Sequence, residues 1–120
     1  MMSGSLYERL GGTEGIHQIA NDIIDNHLRH PRISKRFAEK DVGKLKKGAA
    51  EFIITGTGGP NVYEGEDMIA THKGMNISDD EFMAVVDDIM GALDNNGIEQ
   101  REKEEVLFIL YCLRGEVVSQ

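Results

Sequence analysis

The chain has 13 basic and 21 acidic residues among 120, a formal net charge of −8, which argues against nucleic acid and anionic membranes as partners. Its length predicts one domain over residues 1–120, and its hydrophobic fraction of 40% is ordinary for a soluble globular protein. Cys112 is the only cysteine, and no stretch has the pattern of a signal peptide or a membrane span, so we expect a cytoplasmic protein without an intrachain disulfide.

The first part of the chain predicts two helices. Ser5 and Glu8 form a capping-box pattern on a very short first helix, which ends at the Gly-Gly pair 11–12. Thr13 can cap the second helix, and Pro31 disfavours helix at the residue before it. The second helix carries an apolar stripe at helical spacing that comprises Ile16, Ile19, Ala20, Ile23, Ile24, His27 and Leu28.

A further turn and a third helix follow. Residues 32–37 allow one more helical turn, which ends on Phe37. Asp41 is a good N-cap for the third helix, which Gly56 and the Gly-Gly-Pro sequence at 58–60 bring to an end. Its inner face carries Leu45, Ala49, Phe52 and Ile53.

A single histidine stands on the short segment after this helix. Residues 61–65 are irregular, and a helical run then carries Met68, Ile69 and His72 before it stops at Gly74. Met68 and His72 are four residues apart and therefore share one helix face. An imidazole beside a large apolar side chain suits the proximal ligand of an iron porphyrin, although an isolated histidine near a helix end is usually a surface residue.

The last part of the chain predicts two long helices and completes an all-α fold. Ser78 is followed by acidic residues through Glu81, which is a strong helix start. The last helix is expected from about Gln100 to Val118. The apolar positions of these two helices are Phe82, Val85, Val86, Ile89, Met90 and Leu93, then Val106, Leu107, Ile109, Leu110 and Leu113. Four amphipathic helices usually form a bundle, but the glycine pairs and the loose stretch before His72 suggest helices spread apart to admit something flat.

Several motifs, in the same order along the chain, resemble those of the truncated haemoglobins and are most similar to those of group I. They are Leu-Tyr-Glu-Arg-Leu-Gly-Gly at 6–12, Phe37, Gly-Gly-Pro-Asn-Val-Tyr-Glu-Gly at 58–65 and His-Lys-Gly at 72–74. Each motif alone is weak, but together they span roughly residues 5–118 with nearly gapless spacing. The resemblance implies a truncated two-over-two globin fold around haem b.

The resemblance also assigns roles to particular residues. His72 falls on the proximal iron ligand, and Phe37 on the aromatic residue that packs flat against the porphyrin. Leu45 and Ala49 fall on the helix that covers the distal side, which is the side of the ring opposite His72. The other positions implied to line the haem slot are Met68, Met75, Ile77, Phe82, Val85 and Leu110.

The distal side departs from the family pattern. The family usually holds the iron-bound gas with a tyrosine in the middle of the second helix, often aided by a glutamine on the distal helix. Here the spacing places Ile24 at the tyrosine position, and the distal helix offers Leu45 and Ala49. Because dioxygen gains more from a hydrogen-bond donor than carbon monoxide does, we expect fast dioxygen release and weak discrimination against carbon monoxide.

Other polar residues receive weaker assignments. Lys44 or Lys47 is expected to pair with a haem propionate, although a solvated helix face is equally compatible. The histidines outside the motif, at 17, 27 and 30, are expected to be partly exposed. Whether His27 serves as an internal sixth ligand, and whether Tyr111 reaches the pocket, stay open at this stage.

The resemblance favours a haem protein that reversibly binds dioxygen, carbon monoxide or nitric oxide as a carrier, scavenger or store. The alternative is a nitric oxide dioxygenase, which needs an external reductase to return the iron to the ferrous state. Peroxidase chemistry is disfavoured because the expected distal residues include no acid or base. A sensor module would need an output domain, and a helical interaction domain without haem is the remaining possibility.

Overall fold

The computed structural model describes residues 4–65 and 74–119. Within these ranges, helical segments connected by short turns account for most of the chain. The predicted helix that carries Met68, Ile69 and His72 lies outside the described residues. The helices are α1 (Leu6–Arg9), α2 (Gly12–Arg29), a 3-10 turn (Ser34–Phe37), α3 (Val42–Gly56), α4 (Asp79–Asn95) and α5 (Gln100–Val117).

The helix starts follow the capping residues of the sequence with one exception. Ser5 and Ser78 form capping boxes at α1 and α4, and Asp41 accepts a hydrogen bond from a backbone N–H of α3, as predicted. The predicted cap by Thr13 is wrong, because α2 begins earlier with Gly11 as its N-cap. The Thr13 hydroxyl instead lies 2.6 Å from the Tyr7 hydroxyl.

The second helix organises the packing of the others. It contacts α3 and α4, and α4 in turn contacts α5. The apolar stripe of α2 supplies Ile16, Ile19 and Ile23 to the main core, as its helical spacing predicts. The other buried members of this core are Leu6, Leu10, Ile54, Ala92 and Leu93. None of the helices in the described ranges is long and apolar enough to cross a bilayer.

Two separate sequence motifs meet at one junction beside α1. The Tyr7 backbone N–H donates to the Thr57 carbonyl at 2.9 Å, so the chain after α3 lies against α1. Gly59 faces the Tyr7 ring so closely that a Cβ at this position would lie well inside van der Waals contact with the ring carbons. The Gly-Gly-Pro motif and the Leu-Tyr motif therefore form one contact, and a side chain at 59 is excluded by the aromatic ring.

We expect Gly59→Ala to lower the free energy of unfolding by about 1–3 kcal/mol, because the added methyl overpacks the Tyr7 ring. The matched control is Gly48→Ala in the interior of α3, where an added Cβ meets nothing within 4 Å. This control should raise stability by roughly 0.5–1 kcal/mol, the usual gain of alanine over glycine in a helix. Urea unfolding of both variants measures the difference, and equal effects would contradict the packing explanation.

Candidate haem site

A cavity of about 440 Å³ lies among α2, α3, α4 and α5. Its volume is within the range of roughly 300–1,000 Å³ that is usual for cofactor pockets. Its wall brings together positions from both halves of the chain that the sequence assigned to a haem slot. These positions are Ile24, Phe37, Leu45, Ala49, Met75, Ile77, Phe82, Val85 and Leu110.

The helical repeat explains how α3 reaches this cavity. Leu45, Ala49 and Phe52 are spaced by four and three residues, so they lie on one face of the helix and all three line the wall. The Phe52 ring is braced from behind by the Tyr63 ring, whose centroid lies 5.2 Å away in an edge-to-face arrangement.

The C-terminal end of the chain closes the cavity near Ile77. The Ser119 backbone N–H donates to the Ile77 carbonyl at 2.8 Å, which ties the end of α5 to the segment before α4. Ile77, Phe82 and Val86 form a small buried cluster there, against which Met75 packs. His72 and Met68 lie outside the described residues, whereas Met75, three positions after His72, lines the cavity.

Charged residues line the cavity as well as apolar ones. Arg36 Nη2 donates to Glu81 Oε1 at 3.0 Å, and this contact joins the 3-10 turn to the start of α4. The Arg36 guanidinium lowers the pKa of Glu81 to about 2, so this carboxylate is ionised at neutral pH. Lys40 also lines the cavity, whereas Lys44 and Lys47 are exposed and are not part of its wall.

The predicted partial exposure of His27 is wrong. Its side chain is buried and lines the cavity. Nδ1 lies 2.7 Å from Asp88 Oδ2 on α4, and the ring stacks on Phe37 with centroids 5.4 Å apart. Burial is possible because the carboxylate satisfies one ring nitrogen. The sequence held a signal for this position, since His27 continues the apolar stripe of α2 three residues after Ile24.

The remaining candidate residues lie away from the cavity wall. His17 is exposed and His30 is half-buried, as predicted. Tyr111 is exposed, and its hydroxyl donates to the Met83 sulfur at 3.4 Å rather than reaching the pocket. Cys112 is an exposed free thiol on α5.

The described wall fits a haem group. Aliphatic, aromatic and thioether side chains suit a large apolar ring, and the two cations Arg36 and Lys40 suit its carboxylate groups. Ile24, Leu45 and Ala49, which the sequence placed on the distal side, all line the cavity. A helical fold around such a cavity is the arrangement expected of a haem-binding globin.

Comparison with known proteins places the chain within this class. A family model described as bacterial-like globin matches residues 5–119, and the chain belongs to that family. It is 25% identical over 116 residues to the group 1 truncated haemoglobin of Tetrahymena pyriformis. The aligned region covers 97% of this chain and 96% of that protein. The predicted resemblance to truncated haemoglobins is confirmed.

Solved structures agree with this assignment. The ferric crystal structure of Tetrahymena pyriformis truncated haemoglobin has a TM-score of 0.94 at 25% identity and covers 98% of this chain and 100% of that chain. The 2/2 haemoglobin from a Synechococcus species, solved in the cyanomet state with covalently attached haem, has a TM-score of 0.89 at 25% identity and covers 96% and 98%. The predicted all-α, truncated two-over-two globin fold is confirmed, and the chain is a globin haem protein that binds gases.

Proposed function

We propose that this protein binds dioxygen and other diatomic gases reversibly at haem b, as a carrier, scavenger or store, behind an unusually apolar distal wall. The observation that carries the proposal is the convergence of the predicted haem-lining positions on one cavity, although they come from segments far apart in the chain. Family membership supports haem and gas binding in general. The type of haem and the character of the distal wall are our inference from the residues.

In this proposal His72 supplies the proximal imidazole and Phe37 packs against the face of the ring. Leu45 and Ala49 cover the distal side, while Phe82 and Leu110 contribute to the remaining wall. Bound haem would supply reversible binding of a diatomic gas at ferrous iron. Met68 is a further wall residue in this proposal, together with Met75, Ile77 and Val85.

The distal wall should retain dioxygen weakly. Ile24, Leu45 and Ala49 carry no hydrogen-bond donor in their side chains. His27 also lines the cavity, but its Nδ1 is occupied by the Asp88 carboxylate. We therefore expect dioxygen to dissociate quickly. The pocket should discriminate only weakly against carbon monoxide, because binding of this ligand depends less on a hydrogen-bond donor.

The cavity wall also suggests how the propionates are held. Lys40 and Arg36 line the cavity and are the cations best placed to meet carboxylate groups of the ring. Arg36 already bonds Glu81, which leaves Lys40 as the more available of the two. Lys44 and Lys47, the propionate partners that the sequence suggested, stay predictions.

Absorption spectra of the purified protein in the ferric, ferrous and carbon monoxide states test the haem proposal. We expect a Soret band in each state and a shift when carbon monoxide is added to the ferrous form. Expression with ample haem and iron is needed so that supply does not limit loading. A protein without a Soret band under these conditions would contradict the proposal.

The nitric oxide dioxygenase alternative can be separated by kinetics. That activity requires a long-lived oxygenated form and an external reductase, and the apolar distal wall disfavours the first of these. Stopped-flow mixing of the oxygenated protein with nitric oxide measures the reaction directly. Rapid, stoichiometric formation of nitrate and ferric protein, sustained by an added reductase, would favour the enzyme over the carrier.

A further inference from the structure

A buried histidine–carboxylate pair lies in the cavity wall and has no part in reversible gas binding. His27 on α2 and Asp88 on α4 are bonded through Nδ1 and Oδ2 at 2.7 Å, and their side chains are 6% and 11% exposed. Asn26 also donates from Nδ2 to the Asp88 carbonyl at 3.0 Å, which holds the two helices together at this point. Because apolar residues can often replace a buried ion pair without loss of stability, the pair calls for a chemical explanation.

The geometry determines which ring nitrogen can react. An ionised carboxylate only accepts hydrogen bonds, so Nδ1 of His27 carries the proton that bonds Asp88. Nε2 of the neutral ring then has a free lone pair. Within residues 4–65 and 74–119, the hydrogen bond to Asp88 engages Nδ1 and none engages Nε2. Because Asp88 holds the Nδ1 side of the ring and His27 lines the cavity, Nε2 is the ring nitrogen left for a molecule inside it.

The surroundings keep the ring neutral yet able to take up a proton. Burial lowers the pKa of His27, the Asp88 carboxylate opposes part of that effect, and His30, the C-cap residue of α2, also lowers it. The Phe37 ring covers one face of the imidazole. The other charged groups of the cavity wall are Arg36, Lys40 and Glu81. A proton that arrives at Nε2 creates an imidazolium directly beside the Asp88 carboxylate, which stabilises the new charge.

We propose that the His27–Asp88 pair accepts the proton of small weak acids HX that enter the cavity of the ferric protein. Hydrogen cyanide is one such acid. This inference rests on the proposed haem function. The H–X bond breaks, its proton goes to Nε2, and both bonding electrons stay with X, which leaves as the anion X⁻; bound ferric haem would supply the site that takes up this anion. No electron is transferred, so no oxidant or reductant is needed. His27 acts as a general base, and Asp88 positions it and stabilises its charge.

Cyanide association with the ferric protein, followed by stopped flow from pH 5 to 8, tests this role. Two variants weaken the base in different ways: His27→Leu deletes the imidazole, and Asp88→Asn keeps the ring but removes the negative charge that stabilises the imidazolium. We expect cyanide association at neutral pH to slow about 100-fold in both, the lower end of the usual general-base contribution. The control His17→Gln changes an exposed histidine of the same helix and should leave the rate unchanged.

Carbon monoxide association with the ferrous forms provides the second arm, because this ligand brings no proton. It should stay within about twofold of wild type in both variants, since general-base catalysis cannot act on it. Normal carbon monoxide binding together with a wild-type cyanide rate in both variants would overturn the proton-accepting role and leave the haem proposal intact. Loss of carbon monoxide binding from the wild type would instead defeat the proposed function on which this role rests.

Nitrogen-15 NMR of the His27 imidazole supplies a readout that does not depend on ligand binding. We expect Nδ1 to be protonated and Nε2 to be unprotonated at neutral pH in the wild type, and we expect Asp88→Asn to lower the pKa at which Nε2 takes up a proton, because the carboxylate raises it. A wild-type spectrum with the proton on Nε2 would overturn the proposal whether or not haem is bound. Far-UV circular dichroism checks that both variants keep the helical fold.

Discussion

Ile24→Tyr slows dioxygen release about 10- to 100-fold. A tyrosine at this position of α2 replaces an apolar side chain of the cavity wall with a hydroxyl that can donate to a dioxygen ligand. A hydrogen bond to a partly charged acceptor is worth roughly 1–3 kcal/mol, and each 1.4 kcal/mol corresponds to about a factor of ten in rate or affinity. Carbon monoxide release should change much less, because that ligand is a weaker acceptor.

Flash photolysis and stopped-flow ligand replacement give both dissociation rates. The matched control is Ile24→Phe, which introduces the same aromatic ring without the hydroxyl and so reports the effect of size alone. The ratio of the dioxygen rates in Ile24→Phe and Ile24→Tyr isolates the hydrogen bond. Equal rates in the two variants, or slow release already in the wild type, would contradict the apolar distal wall.

His72→Ala removes the Soret band or reduces it to a small fraction of the wild-type intensity. The expectation follows from the position of His72 in the His-Lys-Gly motif, where the family resemblance places the one protein ligand to iron. An alanine cannot coordinate, and the remaining apolar contacts of the cavity do not position the metal. Haem content per chain, measured by the pyridine haemochrome method, gives the result in absolute terms.

Two controls make this experiment specific. His17→Ala changes a histidine that is exposed on α2, and it should keep full haem content. Added imidazole should partly restore the spectrum of His72→Ala, because the free base can occupy the space that the side chain leaves. An undiminished Soret band in His72→Ala without imidazole would mean that another residue holds the iron, and His27 would be the first alternative to test.

The helices were predictable because their signals are local. Ser5 with Glu8 and Ser78 with Glu81 form capping boxes through bonds that span only three residues, and both occur as predicted. Asp41 likewise caps α3 through the backbone N–H of Lys44. Thr13 shows where this local reasoning fails. The Thr13 hydroxyl is hydrogen-bonded to the Tyr7 hydroxyl, which lies on the other side of the Gly-Gly pair in the sequence. The helix therefore starts without a Thr13 cap.

The cavity wall was predictable only in part. Positions such as Leu45, Ala49 and Phe82 follow from helical spacing together with the family resemblance, and the structure brings them to one cavity. His27 was misjudged because its burial depends on Asp88, which lies 61 positions further along the chain. The spacing of polar residues within one helix holds no information about a partner that belongs to another helix.

By itself the sequence determined the all-α class, the helix boundaries set by Ser5, Asp41 and Ser78, the single histidine of the motif and the apolar residues at 24, 45 and 49. These depend on neighbours along the chain or on one helix face, so a linear pattern suffices. Only the tertiary structure decided that position 59 has no room for a side chain beside Tyr7, and that His27 lines the cavity with its Nδ1 bonded to Asp88. Both depend on the packing of segments remote in sequence, where the distance between side chains decides which atoms meet.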